Sequence, residues 1–407
     1  MTLPKAIVNL SFFQLAVLLF FPVLSLGERN IFLSDLVFFL LMGLTFAELY
    51  LTKRLKQKGL LFGGLALFLV VWGHGAFRPL VEQELGRQMH YHMHEPDRFK
   101  PFRELVVAFR FYSWFAFGIL FSQFFKNNTK TLRTYLQTQG KNLAYAMMLI
   151  SSFILCSRFS SEFHQMLGGL YHFDPTYEFW RGRMYGTFQS PVEAGCALSL
   201  GFLFLWILFN NTKNLLFGGA LVFLSPAIIL TKTATPFFGM FLVGAVFLVF
   251  RKKRKLVALG VLVASLLIFI ALATTSVEVR QKAGDLLYRT WMWRVLLFEA
   301  AKRFDLLVFG FGFATYHIDS SYLFLINRGG LALFGGFAYV LTKVLKTTWK
   351  KWSWSQKIIA LYVLLLCLPL DVLIYRHFIG LFLLIGVPLL SGKEVFEKAR
   401  SFHVDIF

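Results

Sequence analysis

Ser190–Asn210 reads SPVEAGCALSLGFLFLWILFN, with Glu193 as its one charge. A helix needs about 20 apolar residues to cross the hydrocarbon of a bilayer with every backbone group bonded internally. The stretch has that length, and Pro191 suits a first helical turn. It predicts a transmembrane helix, and the same reading extends along the chain in both directions. Comparable windows lie near 7–26, 31–51, 59–77, 105–125 and 142–160 before it. Beyond it they lie near 214–231, 235–250, 256–275, 321–345, 357–375 and 377–391. The expected fold class is all-α, a polytopic integral membrane protein of about twelve transmembrane helices. No internal repeat, low-complexity tract or soluble domain interrupts it, so 1–407 reads as a single transmembrane domain.

Composition agrees. Of 407 residues 57% are apolar and 15% charged, with a mean hydropathy of +0.63, more apolar surface than a soluble fold could hide from water. Lys and Arg number 42 against 21 acids, a formal charge of +21 that in a soluble protein would suggest nucleic acid. Its location argues otherwise. With the N-terminus inside, the cytoplasmic connections carry Lys53, Arg54, Lys56 and Lys58, then Lys126, Lys130, Arg133 and Lys141, then RKKRK at 251–255. The later ones carry Lys346, Lys350, Lys351 and Lys357, and the tail carries Lys393, Lys398 and Arg400. Basic residues in short loops stay cytoplasmic, so the charge sets orientation and meets anionic membrane lipids; no nucleic-acid partner is implied. Both termini are expected inside. Lys5 precedes an apolar stretch, yet Leu26-Gly27-Glu28 is a poor cleavage site, which predicts an uncleaved first helix. Cys156, Cys196 and Cys367 sit in or beside apolar runs without metal-like spacing and are expected to pack as small apolar residues.

The opposite face receives three longer polar segments, 78–104, 161–189 and 276–320, and loops held by a rigid scaffold are where chemistry concentrates. In the second, Arg181 and Arg183 bring two guanidinia to the membrane surface, either as forks for the oxygens of a lipid-linked phosphate or as headgroup anchors. Lys232 follows a span in Leu230-Thr231-Lys232-Thr233 and reads as a snorkelling end or a further cation of the site. In the third, Arg280, Lys282, Arg289, Arg294, Lys302 and Arg303 lie outside despite the positive-inside tendency, which suggests an anionic ligand. Arg289 and Trp293 share a helical face, and Gly310 and Gly312 in FGFGF permit close backbone approach. His317 and Asp319 then supply two candidate bases before Tyr322, although Asp319 or Ser320 is also a natural helix cap. His90, His92 and His94 alternate in HYHMH without an obvious fourth ligand, and read as the rim of a groove more readily than as a metal site. Asp35, Glu48, Arg110, Glu193, Arg328 and Asp371 fall within spans, where charge is expensive, and are expected to face one another or a wet cavity. A transporter would show the same pattern.

Four pieces in order carry a resemblance: Arg183-Met-Tyr-Gly186-Thr-Phe188 with Pro191; Leu230-Thr231-Lys232; Arg289, Trp293 and Gly310-Phe-Gly312; and Asp319-Ser-Ser-Tyr322-Leu323 followed by Gly329-Gly330. Over about residues 180–335 the chain resembles the bacterial O-antigen ligase and O-antigen polymerase superfamily. The resemblance implies a GT-C-like fold whose periplasmic loops carry short helices, in the bacterial inner membrane. It implies an inverting, metal-independent glycosyltransferase of lipopolysaccharide biosynthesis without cofactors. An undecaprenyl-diphosphate-linked oligosaccharide is the donor, a glycan or lipid A-core the acceptor, and other polysaccharide-assembly proteins are conceivable partners. Arg183, Arg181, Lys232, Arg294 and Tyr322 would bind substrate, with Arg183 and Arg289 on the diphosphate. Arg289, Asp319 and His317 would form the catalytic set, stabilising the leaving group and taking the acceptor's proton. Lys232 stands where the family often has Arg. Ligases of the family show His-Asn where this chain has Asp319-Ser320, and an acid there leans towards polymerase. The outer loops hold no Asp-x-Asp to carry a divalent ion on a diphosphate, which fits the metal-independent expectation.

Overall fold

A computed structural model of the chain describes residues 2–21, 24–26, 29–31, 33–84, 101–171, 183–233, 301–310, 320–367 and 375–391, with scattered helical positions between 236 and 298. The described chain is helical apart from one short hairpin. Helices α1 (Leu3–Phe20), α2 (Leu33–Leu51), α3 (Lys58–Glu84), α4 (Pro101–Asn127), α5 (Thr129–Phe159), α6 (Ser161–Tyr171), α7 (Pro191–Thr212) and α8 (Leu215–Leu230) form the first part. Then come α9 (Phe304–Phe309), α10 (Ser321–Thr348), α11 (Trp354–Leu366) and α12 (Arg376–Ser391), the last containing a π-turn at Phe382–Gly386. Strands β1 (Leu24–Leu26) and β2 (Arg29–Ile31) pair antiparallel between α1 and α2, with Ser25 opposite Asn30.

Six of these helices are long and apolar enough to cross a membrane: α1, α2, the first 19 residues of α3, α5, α7 and α10. Helices α8, α11 and α12 are shorter and apolar. The predicted span 256–275 and most of 235–250 lie outside the described residues.

Helix α7 is the axis of the bundle, buried along most of its length and packed by α5, α8, α11 and α12. Its sequence explains that place: small residues let neighbours come close on several sides, Gly195 against Thr233, Gly201 against Met147 and Ser199 against Tyr362, while Leu203, Phe204 and Leu208 fill the interior. Pro191 opens it behind Ser190, whose side chain accepts from Glu193 N–H. Helices α3, α4 and α10 close a second cluster around Val71, Ala108, Phe324 and Leu333.

Two elements differ from the sequence reading. The connection expected at 126–141 is mostly helix, because α4 and α5 are separated by Asn128 alone. Leu132, Tyr135, Leu136, Gln139 and Leu143 bury one stripe of this extension while Arg133 and Lys141 face outward. Helix α10 is broken at Gly329 and Gly330, the latter with φ of 59°.

The ends of the bundle have different chemistry. At one, Lys53, Arg54, Lys56, Lys213, Lys346, Lys350 and Lys351 flank contacts such as Lys56 N–H to Gln123 Oε1 (2.9 Å) and Trp352 Nε1 to the Leu390 carbonyl (3.2 Å). The other end collects Asp35, Arg183, Glu193, Thr231, Thr233, Arg376 and His377.

Candidate functional site

Arg183 lies in the arm that leads from the 161–189 segment into α7. The arm is tied to the end of α8, because Met184 N–H donates to the Leu230 carbonyl (3.1 Å). Arg183 Nε donates to the Thr231 carbonyl (2.9 Å) and Nη2 to Thr233 Oγ1 (2.8 Å). Thr233 Oγ1 in turn donates to the Pro191 carbonyl (2.8 Å), so one hydroxyl links the arm, the end of α8 and the start of α7. These bonds engage two of the five N–H donors that a guanidinium offers. Burial disfavours the charged form and lowers the Arg183 pKa, while Tyr185 works against that shift. The cation is held in place and remains charged at neutral pH.

Lys232 lies between the two buried threonines and is itself exposed. Its φ of 49° ends α8 in the left-handed conformation, the role that Lys213 fills after α7. Gly195 lets Thr231 and Thr233 approach α7: a Cβ there would come 2.8 Å from Thr233 Cβ. Tyr322 opens α10, and its hydroxyl donates to the Leu364 carbonyl (3.0 Å) near the end of α11. Arg294 is exposed on a helical part of the third polar segment. The structure thus brings Arg183 and Lys232 together. It gives Arg294 and Tyr322 no contact with either among the described residues. Arg181, Arg289, His317 and Asp319 lie outside the described residues, as do His90, His92, His94 and Asp371.

Beside α7 runs a line of charge that the sequence reading anticipated only in part. Arg110 Nη2 donates to Asp35 Oδ2 (2.6 Å), joining α4 to α2, and the two line a groove of 330 Å³ with Phe39, Leu105, Val106 and Phe109. Arg376, at the start of α12, is within electrostatic reach of Asp35, Arg110 and Glu193. Glu193 Oε1 accepts from His377 N–H (3.2 Å) and bonds His377 Nδ1 (2.6 Å). Phe188 sets its ring edge-on to His377, centroids 4.9 Å apart, which connects this line to the Arg183 arm.

Arg376 and His377 were missed because the reading of 377–391 weighed only apolar length. The signal was there: a basic pair opening one span and an acid, Glu193, one turn into another. Further out, Arg303 donates twice to Asp305, whose second neighbour is His74 Nε2 at 3.6 Å, and so α9 is fixed against α3. Burial raises the Asp305 pKa, but these neighbours prevail and hold the carboxyl below its usual range. Cys196 and Cys367 are buried free thiols, and Cys156 is exposed. No family model, no curated protein and no solved structure matches this chain.

Proposed function

We propose that the chain is an inverting, metal-independent glycosyltransferase of the bacterial inner membrane. In this reading it has about twelve spans of GT-C type and both termini in the cytoplasm. It works on the periplasmic face, with an undecaprenyl-diphosphate-linked oligosaccharide as donor and, as polymerase, a second lipid-linked glycan as acceptor. The observation that carries the reading is the anchored Arg183. A guanidinium fixed by Thr231 and Thr233, with exposed Lys232 adjoining and the loop-borne basic charge at the other end, is a preformed seat for a phosphorylated group. A fixed cation stabilises the charge that grows on a departing diphosphate without reorganising during the reaction. Arg289 is the proposed second cation, and Asp319 or His317 the proposed proton acceptor from the attacking hydroxyl.

Purified protein is supplied with lipid-linked oligosaccharide alone, then with lipid A-core added. Lengthening without core identifies a polymerase; transfer only with core identifies a ligase. Arg183→Ala and Arg289→Ala are expected to abolish transfer while the protein still inserts, and normal products from either variant would overturn the reading. The line of charge from Asp35 to Glu193 favours one second reading, a carrier of lipid-linked oligosaccharide. Net transport by purified protein without glycosidic-bond chemistry would select it.

A further inference from the structure

Glu193 and His377 are an acid and an imidazole from different helices, α7 and α12, with side chains only 8% and 4% exposed. One carboxylate oxygen receives both the backbone N–H and the ring nitrogen Nδ1 of the same residue. That double hold fixes the ring and its tautomer: Nδ1 carries the proton towards Glu193, and Nε2 is left with its lone pair. Nε2 has no hydrogen-bond partner among the described residues. A cross-link serving stability alone needs none of this asymmetry, since an amide pair would bridge the same two helices without buried charge.

The surrounding charges fit a neutral imidazole at rest. The charged group beside the pair is Arg376 on α12, which in turn lies within electrostatic reach of Asp35 on α2 and Arg110 on α4; the Cys196 thiol is one turn along α7 from Glu193 and near the Cys367 thiol after α11. Two carboxylates, Asp35 and Glu193, balance two guanidinia, Arg110 and Arg376. The cluster is electroneutral with His377 uncharged, and a proton arriving at Nε2 becomes an imidazolium already paired with Glu193.

We propose that Glu193 and His377 form an acid–base dyad of the active site, in which His377 Nε2 takes up the proton released by an attacking sugar hydroxyl. The proposal rests on the glycosyl-transfer reading and adds to Asp319 and His317 an acceptor that the sequence reading did not include. In the step, the hydroxyl oxygen bonds to the anomeric carbon. The bond from that carbon to the diphosphate oxygen breaks, its electron pair leaving with the diphosphate. The hydroxyl proton passes to Nε2 and is later returned to water. Glu193 stabilises the imidazolium and stays ionised, as a carboxylate behind a histidine base does.

The test uses the full chain in lipid nanodiscs with lipid-linked oligosaccharide as substrate. In His377→Asn the amide nitrogen reproduces the Nδ1 donor to Glu193 and removes Nε2. The rate is expected to fall about 100-fold or more while the thermal unfolding midpoint stays near wild type. Glu193→Gln keeps the hydrogen bonds and removes the charge that favours the imidazolium, so the acidic limb of the pH–rate profile is expected to move to lower pH. A wild-type rate in His377→Asn, or an unmoved limb in Glu193→Gln, overturns the dyad. Active Arg183→Ala overturns the transfer reading instead. Independently of turnover, nitrogen NMR of labelled His377 should show the neutral ring as the Nδ1–H tautomer with Nε2 unprotonated, and the Nε2–H tautomer sinks the proposal.

Discussion

The Thr233 hydroxyl serves two partners, donating to the Pro191 carbonyl while accepting from Arg183. Thr233→Val preserves volume and removes both bonds, leaving a buried carbonyl and a guanidinium with less to hold them. Loss of about 1–2 kcal/mol of stability is expected, with a several-fold higher KM for the lipid-linked donor, measured by unfolding and by transfer at varied donor. Lys232→Gly should separate two roles of one residue. Glycine relieves the left-handed strain at φ of 49° and should raise stability by up to about 1 kcal/mol. Losing the charge should weaken donor binding, and unchanged binding would assign Lys232 to ending α8 alone. Arg183 and Lys232 were legible because charge at the mouth of an apolar span is conspicuous in a sequence. His377 was not, because its partner Glu193 is 184 positions away and only packing brings α7 and α12 together.

At the scale of elements, the sequence reading located most of the described helices and erred where length alone was weighed. The start of α5 is too polar for a hydropathy window, yet its apolar residues recur at helical spacing, so periodicity held the information. The break in α10 is an opposite case. Gly329 and Gly330 were noticed as a motif, but their use depends on α9: a Cβ on Gly310 would come 2.6 Å from both of their backbone nitrogens, and one on Gly330 would overlap the Val308 carbonyl. Helices α9 and α10 therefore meet backbone to backbone. Gly330→Ala is expected to cost more than about 2 kcal/mol, combining overlap with an unfavourable φ, whereas Gly43→Ala, with open space around it, should stay within about 0.5 kcal/mol. Equal unfolding of the two variants would contradict that joint. The Asp35–Arg110 pair is suited to a double-mutant cycle. Asp35→Asn or Arg110→Gln alone strands a partly buried charge, so each should cost more than the double variant.

For the molecule as a whole, charge is two-ended: among the described residues, one end of the bundle carries mainly lysine and arginine and the other carries mixed charge. In the proposed orientation the described lysines and arginines at the Lys53, Lys213 and Lys346 end face the cytoplasm, and the mixed charge at the other end faces the periplasm. Alkaline phosphatase fused after residue 171 should be active, and fused after residue 391 inactive. The opposite result would invert the proposed orientation and remove the site from the periplasm.

Helix α12 touches partners made far earlier in the chain: Gly380 lies against Leu18, the Leu384 carbonyl accepts from Tyr135, Ser391 meets Ser122, and His377 takes Glu193. It acts as a keystone. While the polypeptide is being synthesised and threaded into the bilayer, Glu193 has to wait for residues 376–391 before its mate exists. A bundle that lacks residues 376–391 therefore leaves one carboxylate stranded in its interior.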